Sequence, residues 1–351
     1  MTMKVKTDCR FFRGDMPCRP HKTDRVHCEG CRFYDAITKK ILIIKLGAIG
    51  DVIRTTPLLR KLKEIYPGAQ IHWLTQSPQI LPAQWIDAVY SFRPEHIEIL
   101  KQIDFDILYN LDKDHEACAL CNRIRSEEKH GFILKYGTCH PANAAAENKW
   151  LTGLFDDLNQ KNQKSYPQEI FEICGFDFQG EEYILDLPEK RSWNLPDGNP
   201  VVGLNTGCGA RWKSRLWPDD HWIALAKSLK EAGYTVLFLG GEQEHQKNMS
   251  MAKLSGTHYL GHFSLPVFIS LMNQCDIVVT AVTMALHIAL GLKKKVVLFN
   301  NIFNRHEFEM YGRGIIIEPP NTCLGCFMGD CEKACMELIE PVKVLNAVKQ
   351  I

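Results

Sequence analysis

Residues 41–57 read ILIIKLGAIGDVIRTTP, and the fold is decided there. The apolar run 41–46 reads as a buried strand, Gly47 and Gly50 allow a tight turn, and LLRKLKEIY (58–66) follows as an amphipathic helix. A helix that starts directly after a strand presents unpaired backbone amides, which suit an anion. Asp51 sits at that start, either as a helix N-cap that accepts backbone amides or as a carboxylate poised to take a proton. The sequence GAIGD is not the dinucleotide fingerprint GxGxxG, and no obvious acid follows about 20 residues on, so a nicotinamide enzyme is disfavoured.

Outward from this stretch, QIHWLT (70–75) and FDILYNL (105–111) read as further strands, and strands alternating with helices imply a parallel sheet covered on both faces. The segment DLPEKRSWNLPDGNPV (186–201) breaks the rhythm with prolines and a glycine and reads as a linker. A second series then begins with VVGLNTG (201–207), a helix at 219–233, YTVLFLGG (234–241), DIVVT (276–280), a helix at 284–292 and KKVVLFN (294–300). The expected architecture is α/β: two Rossmann-like domains, 41–185 and 201–322, joined by a linker at 186–200, with a cleft facing the carboxyl ends of both sets of strands. Cysteine-rich segments at 1–40 and 323–351 flank them.

Composition excludes several function classes. With 45% hydrophobic residues, 24% charged residues and a net charge of +1, the chain has no bias toward nucleic acid. The polar N-terminal stretch lacks a secretory h-region, which points to the cytoplasm. The apolar stretch Ile277 to Leu292 is too short for a membrane span and contains Thr280, Thr283 and His287, so contact with a membrane is at most peripheral.

The second domain opens with NTGCGARWKSRLWP (205–218). Thr206 and Gly207 bring backbone close to a ligand, while Lys213 and Arg215 can neutralise a diphosphate; a solvated basic turn is the plainer alternative. In GGEQEH (240–245), Glu242 or Glu244 can accept ribose hydroxyls or lie exposed in a first helical turn. His287, within MALHIALGL, is either a core histidine or a cleft residue. On the first domain, Asp112 ends the third strand, where it lines the acceptor or donor pocket or lies in a solvated loop, and Lys45 and Arg54 flank Asp51, suited to acceptor phosphates unless Arg54 lies on an exposed helix face.

At these residues the sequence resembles the glycosyltransferase family 9 heptosyltransferases, which move heptose from ADP-heptose onto the lipopolysaccharide inner core. The resemblance covers about residues 41–340 and rests on GAIGDVIRTTPLLRKLKEIYPGAQIHWLT, GCGARWKSRLWPDDHWIALAKSL, the glycine-acid turn at 240–244 and GHFSLPVFISLMNQCDIVVTAVTMALHIALGL. It implies a GT-B fold, an acceptor-binding first half, a donor-binding second half and inverting transfer without a catalytic metal. By position it makes Asp51 the general base, Arg215 the cation on the donor diphosphate, Glu244 the ribose-binding acid, and Thr283 and His287 part of the donor loop. The family's donor loop usually reads like TGDTGPMH. Here it is TAVTMALH (280–287), with Val282 in place of an acid that contacts the sugar. The acceptor so implied is a lipopolysaccharide core or related glycan. A subgroup similar to the autotransporter heptosyltransferases would instead glycosylate protein hydroxyls, and carries cysteines around iron near its C-terminus. A metal-thiolate binding or sensing module on a scaffold without turnover is the rival of another class.

Fourteen cysteines in a chain without a secretion signal direct attention to metals. Cys323, Cys326, Cys331 and Cys335 form one set and Cys9, Cys18, Cys28 and Cys31 another, each containing a CxxC pair. Four soft ligands suit structural zinc, a single iron or an iron–sulfur cluster. Reduced buried thiols, or one ion shared between the two CxxC pairs, remain open alternatives. The pair in CALC (118–121) lies at helical spacing and reads as packing.

Overall fold

The computed structural model describes residues 4–187, 191–196, 198–209, 212–320 and 323–351; parts of the expected linker (188–190 and 197) and of the loop after Gly209 (210–211) lie outside the described residues. The first half contains β1 (Lys39–Ile44), β2 (Ala69–Thr75), β3 (Ala88–Ser91), β4 (Asp104–Asn110), β5 (Arg125–Lys135) and β6 (Thr138–Pro141), in the order β3-β2-β1-β4-β5-β6. All pair in parallel except β6, which turns back antiparallel on β5. Ile41, Leu42, Ile43 and Ile44 are fully buried because helices cover both faces of the sheet, which is why β1 reads as a continuous apolar run rather than an alternating one.

The second half contains β7 (Val201–Asn205), β8 (Thr235–Leu239), β9 (Ile277–Ala281), β10 (Lys295–Phe299) and β11 (Gly314–Ile317), all parallel, in the order β11-β10-β9-β7-β8. The apolar stretch 277–292 resolves into β9 and the helix Met284–Gly291, and no helix among the described residues is long and apolar enough to cross a membrane. The C-terminal helix Pro341–Gln350 packs on the helix Asp219–Glu231, its Val344 and Val348 closing a core around Trp217, Trp222 and Phe299. Burying each such side chain contributes on the order of 1.5–3 kcal/mol.

Strand order reverses between β1 and β4 in one sheet and between β7 and β9 in the other. At such switch points the loops diverge and leave a crevice beyond the carboxyl ends of the strands. Asp51 and Asp112 follow β1 and β4; Gly207 and Thr283 follow β7 and β9.

Strand β5 was not legible as a strand. Its sequence, RSEEKHGFILK, is polar over its first half because that part is largely exposed, so neither apolar alternation nor a buried run marks it. Gly131 bends it at φ +95°, where a Cβ would collide with the Asn110 carbonyl.

Residues 4–38 form an appendage with one short helix, Arg19–Asp24, and Pro20 is the sole buried residue described there. It is fastened to the first half by Arg10, which ion-pairs with Asp87 at 2.5 Å and donates to the Ala69 carbonyl at 3.0 Å.

Candidate active site

The two sheets face a cleft of about 1040 Å³. Its first wall is the turn after β1. The short helix Ile49–Ile53 has Ala48 at its N-cap, so Asp51 is not the cap but a first-turn residue whose side chain is 33% exposed toward the cleft. Arg54 Nε donates to Asp51 Oδ1 at 2.9 Å, and Lys45 Nζ lies 3.9 Å from Oδ2. Burial pushes the Asp51 pKa up, but Arg54, Lys45, His287 and Lys149 outweigh it and bring the carboxyl down to about 2. Asp51 is therefore ionised at any physiological pH.

Arg54 is shared. Its Nη1 contacts Glu307 Oε1 of the second half at 2.8 Å, and its guanidinium lies 3.7 Å from the centre of the Tyr166 ring. Burial works against its charge, but the carboxylates of Asp51 and Glu307 raise its pKa. Gly50 brings the halves into contact: a Cβ there would stand 2.6 Å from His287 Cδ2. Burial, then Arg54, drive the His287 pKa down to about 3 against the pull of Asp51, so its imidazole is neutral.

Two residues expected to meet the acceptor are placed differently. Asp112 is buried, and its Oδ2 accepts from the amides of Leu46 at 2.9 Å and Gly47 at 3.3 Å and from Lys45 Nζ at 3.4 Å. Its carboxylate thus holds the turn that carries Asp51 instead of facing a ligand. Lys45 is buried beneath Asp51 and does not line the cleft. Arg54 does line it.

The second wall gathers Gly207, Arg215, Glu244, Thr283 and His287. Arg215 is buried; its Nη2 donates to the Cys208 carbonyl at 2.6 Å and its Nη1 to the Val282 carbonyl. Among the described residues no carboxylate pairs with it, and its Nε has no hydrogen-bond partner. Burial lowers its pKa, yet a guanidinium keeps its charge in a protein. Glu244 accepts the Gly241 amide at 2.9 Å, and Gly207 makes room for it, since a Cβ at 207 would lie 2.6 Å from the Glu244 carboxyl carbon. Thr283 caps the helix Met284–Gly291 by accepting the Ala285 amide at 3.1 Å, which aims that helix's amino terminus at the cleft.

Thr206 and Lys213 leave the expected donor set. Thr206 is buried and donates to Asn248 Oδ1 at 2.6 Å, tying β7 to the helix His245–Ser255. Lys213 stands exposed on the single-turn helix Lys213–Arg215, outside the cleft lining. Glu307, Asn205 and Phe303 line the cleft without having been singled out. The strand end at Asn205 could have flagged that residue; Phe303 and Glu307 come from a stretch with no periodic pattern.

A model of glycosyltransferase family 9, the heptosyltransferase family, matches residues 93–311. The chain belongs to glycosyltransferase family 9. It is a glycosyltransferase with the two-sheet GT-B architecture. Lipopolysaccharide heptosyltransferase 2 of Escherichia coli K12 is 22% identical over 296 residues, covering 74% of this chain and 81% of the relative. The solved E. coli ADP-heptose lipopolysaccharide heptosyltransferase II superposes with a TM-score of 0.66 at 18% identity, over 89% of this chain and 98% of that one. TibC, an iron-containing dodecameric glycosyltransferase from enterotoxigenic E. coli, superposes at 0.58 with 13% identity, over 90% of this chain and 76% of its own.

In this family 9 chain the C-terminal cysteines make local contacts. Cys331 Sγ accepts the Lys333 amide at 3.5 Å, Cys335 Sγ accepts from Asn301 Nδ2 at 3.3 Å, and residues 321–322 just before Cys323 lie outside the described residues. Neither they nor Cys323 and Cys326 line the cleft. Among the described residues no three His, Cys, Asp or Glu side chains form a group that could hold one metal ion. Cys118 and Cys121 are buried in the helix His115–Arg123, as packing requires.

Proposed function

We propose that this chain moves a heptose from ADP-heptose to a lipopolysaccharide core or related glycan with inversion at the anomeric carbon, and that it works in the cytoplasm. One observation carries the reading: an ionised carboxylate, Asp51, and a cation without an acid partner, Arg215, line opposite walls of one cleft. The names of the similar heptosyltransferases support the donor and acceptor classes.

In this mechanism the acceptor hydroxyl oxygen forms a bond to the anomeric carbon while the bond from that carbon to the diphosphate oxygen breaks. The hydroxyl proton passes to Asp51, and the bonding electrons leave with the nucleoside diphosphate. A carboxylate with a pKa near 2 is a weak base, so it accepts the proton late, once attack has made the oxygen strongly acidic. Arg215 and the amino terminus of Met284–Gly291 receive the charge developing on the diphosphate, so transfer needs no metal. Glu244 accepts the ribose hydroxyls. Val282 supplies no acceptor to the sugar through its side chain, which leaves sugar choice to other groups of the cleft.

Incubation of the purified chain with ADP-, UDP-, GDP- and dTDP-sugars tests the donor, with thermal shift reporting binding and mass spectrometry identifying the product. Stabilisation by ADP-heptose and a heptosylated glycan are expected. Stabilisation by UDP- or GDP-sugars alone would sink the donor assignment, and a product found only on protein hydroxyls would sink the acceptor.

A further inference from the structure

The N-terminal appendage forms a half-open cavity of about 180 Å³ separate from the cleft, and the partly buried Cys9, Cys18, Cys28 and Cys31 all line it. The four come from well-separated positions: Cys9 bridges to Ala36, Cys18 precedes the helix Arg19–Asp24, and Cys28 and Cys31 share a turn closed by the Cys31 amide on the Cys28 carbonyl. None is in a disulfide. Converging cysteines from across 23 residues on one interior is a specific arrangement, because a piece of chain this short does not hold itself together by apolar burial.

From this geometry we infer that residues 4–38 bind an iron–sulfur cluster of the four-iron type through Cys9, Cys18, Cys28 and Cys31. A single zinc or iron needs its sulfurs about 2.3 Å from one point and hence about 3.8 Å from each other. No three ligating side chains described here form such a group, yet four thiols surround one space. A cubane cluster asks for that arrangement, since each thiolate binds a different iron and the inorganic core fills the middle. Phe11, Phe12 and Phe33 supply the apolar wall that shields such a core. Lys4, Lys6 and Arg13 also line the cavity and offset the net negative charge of a cluster with four thiolate ligands. His21 and His27 also line the cavity, with His21 Nδ1 engaged by the Val26 carbonyl at 2.9 Å. The cluster orders the appendage against the first half through Arg10 and takes no part in sugar transfer, because none of its ligands reaches the cleft.

The test is anaerobic purification of the full chain after reconstitution with ferrous iron and sulfide, followed by iron, zinc and acid-labile sulfide analysis. About four iron and four sulfide per chain are expected, with broad charge-transfer absorption in the visible. Cys28→Ser should cut iron to below about one per chain, whereas Cys326→Ser should leave it unchanged. Zinc or iron without sulfide, no metal at all, or loss of the cluster in Cys326→Ser but not in Cys28→Ser would each overturn the inference. If Cys28→Ser does not fold, the parent's iron-to-sulfide stoichiometry and its retention in Cys326→Ser decide alone. Failure here leaves the transfer reaction untouched, as that is read from product formation.

Discussion

The two walls of the cleft handle charge in opposite ways. On the first, every charge is answered within the protein: Asp51 by Arg54 and Lys45, Lys45 also by Asp112, and Arg54 also by Glu307. On the second, Arg215 rests on two carbonyl oxygens and meets no carboxylate among the described residues. A self-neutralised wall suits a proton acceptor, whose state must not change as neutral alcohols come and go. A buried cation without an acid partner suits the reception of an anion, whose arrival supplies the missing partner, although Glu242 and Glu244 also line this wall.

The sharpest way to break this contrast is Asp51→Asn, which removes the proposed proton acceptor and leaves the shape. Steady-state transfer should fall by roughly 10²- to 10⁴-fold with little change in donor affinity. A variant turning over at the parental rate would show that Asp51 is only a structural ion-pair partner. Arg215→Met attacks the other wall: ADP affinity measured by calorimetry should weaken by about 10- to 150-fold, the worth of a charged hydrogen bond, while adenosine binds as before. Equal losses for ADP and adenosine would place Arg215 away from the diphosphate. Gly50→Ala tests where the walls touch. Its Cβ meets His287 at 2.6 Å, so the melting curve should report a loss of about 1–3 kcal/mol, and unchanged stability would mean the halves are not held this close in solution.

The finest test is pH. Because the Asp51 pKa is depressed to about 2, its ionised form persists above that value and is lost only as pH falls through it, so kcat/KM should show no acid limb above about pH 4. Arg54→Gln removes the largest lowering influence and leaves burial opposed by Lys45, His287 and Lys149 alone, so the limb should move up in pH. A profile that stays flat would assign proton acceptance to another group.

Much of this was legible in the sequence for one physical reason. The central strands β1, β4, β7 and β9 are buried on both faces, so their apolar runs were unmistakable, and the loops after them had to meet. Asp51, Arg215, Glu244, Thr283 and His287 were found through those loops, and all line the cleft. Position at a strand end does not say which way a side chain turns, however. Thr206 turns inward to Asn248, Asp112 turns back to the amides of its neighbouring loop, and Lys213 turns out to solvent. Glu307 could not be read at all, because its meaning lies in a partner 253 positions away.

That long-range pair has a consequence for the basicity of Asp51. Glu307 belongs to the second half, and while it grips Arg54 it draws off part of the positive field bearing on Asp51. Separation of the halves would leave Arg54 to Asp51 alone while withdrawing His287, which also lowers the Asp51 pKa, so the basicity of Asp51 is tied to contact between the halves.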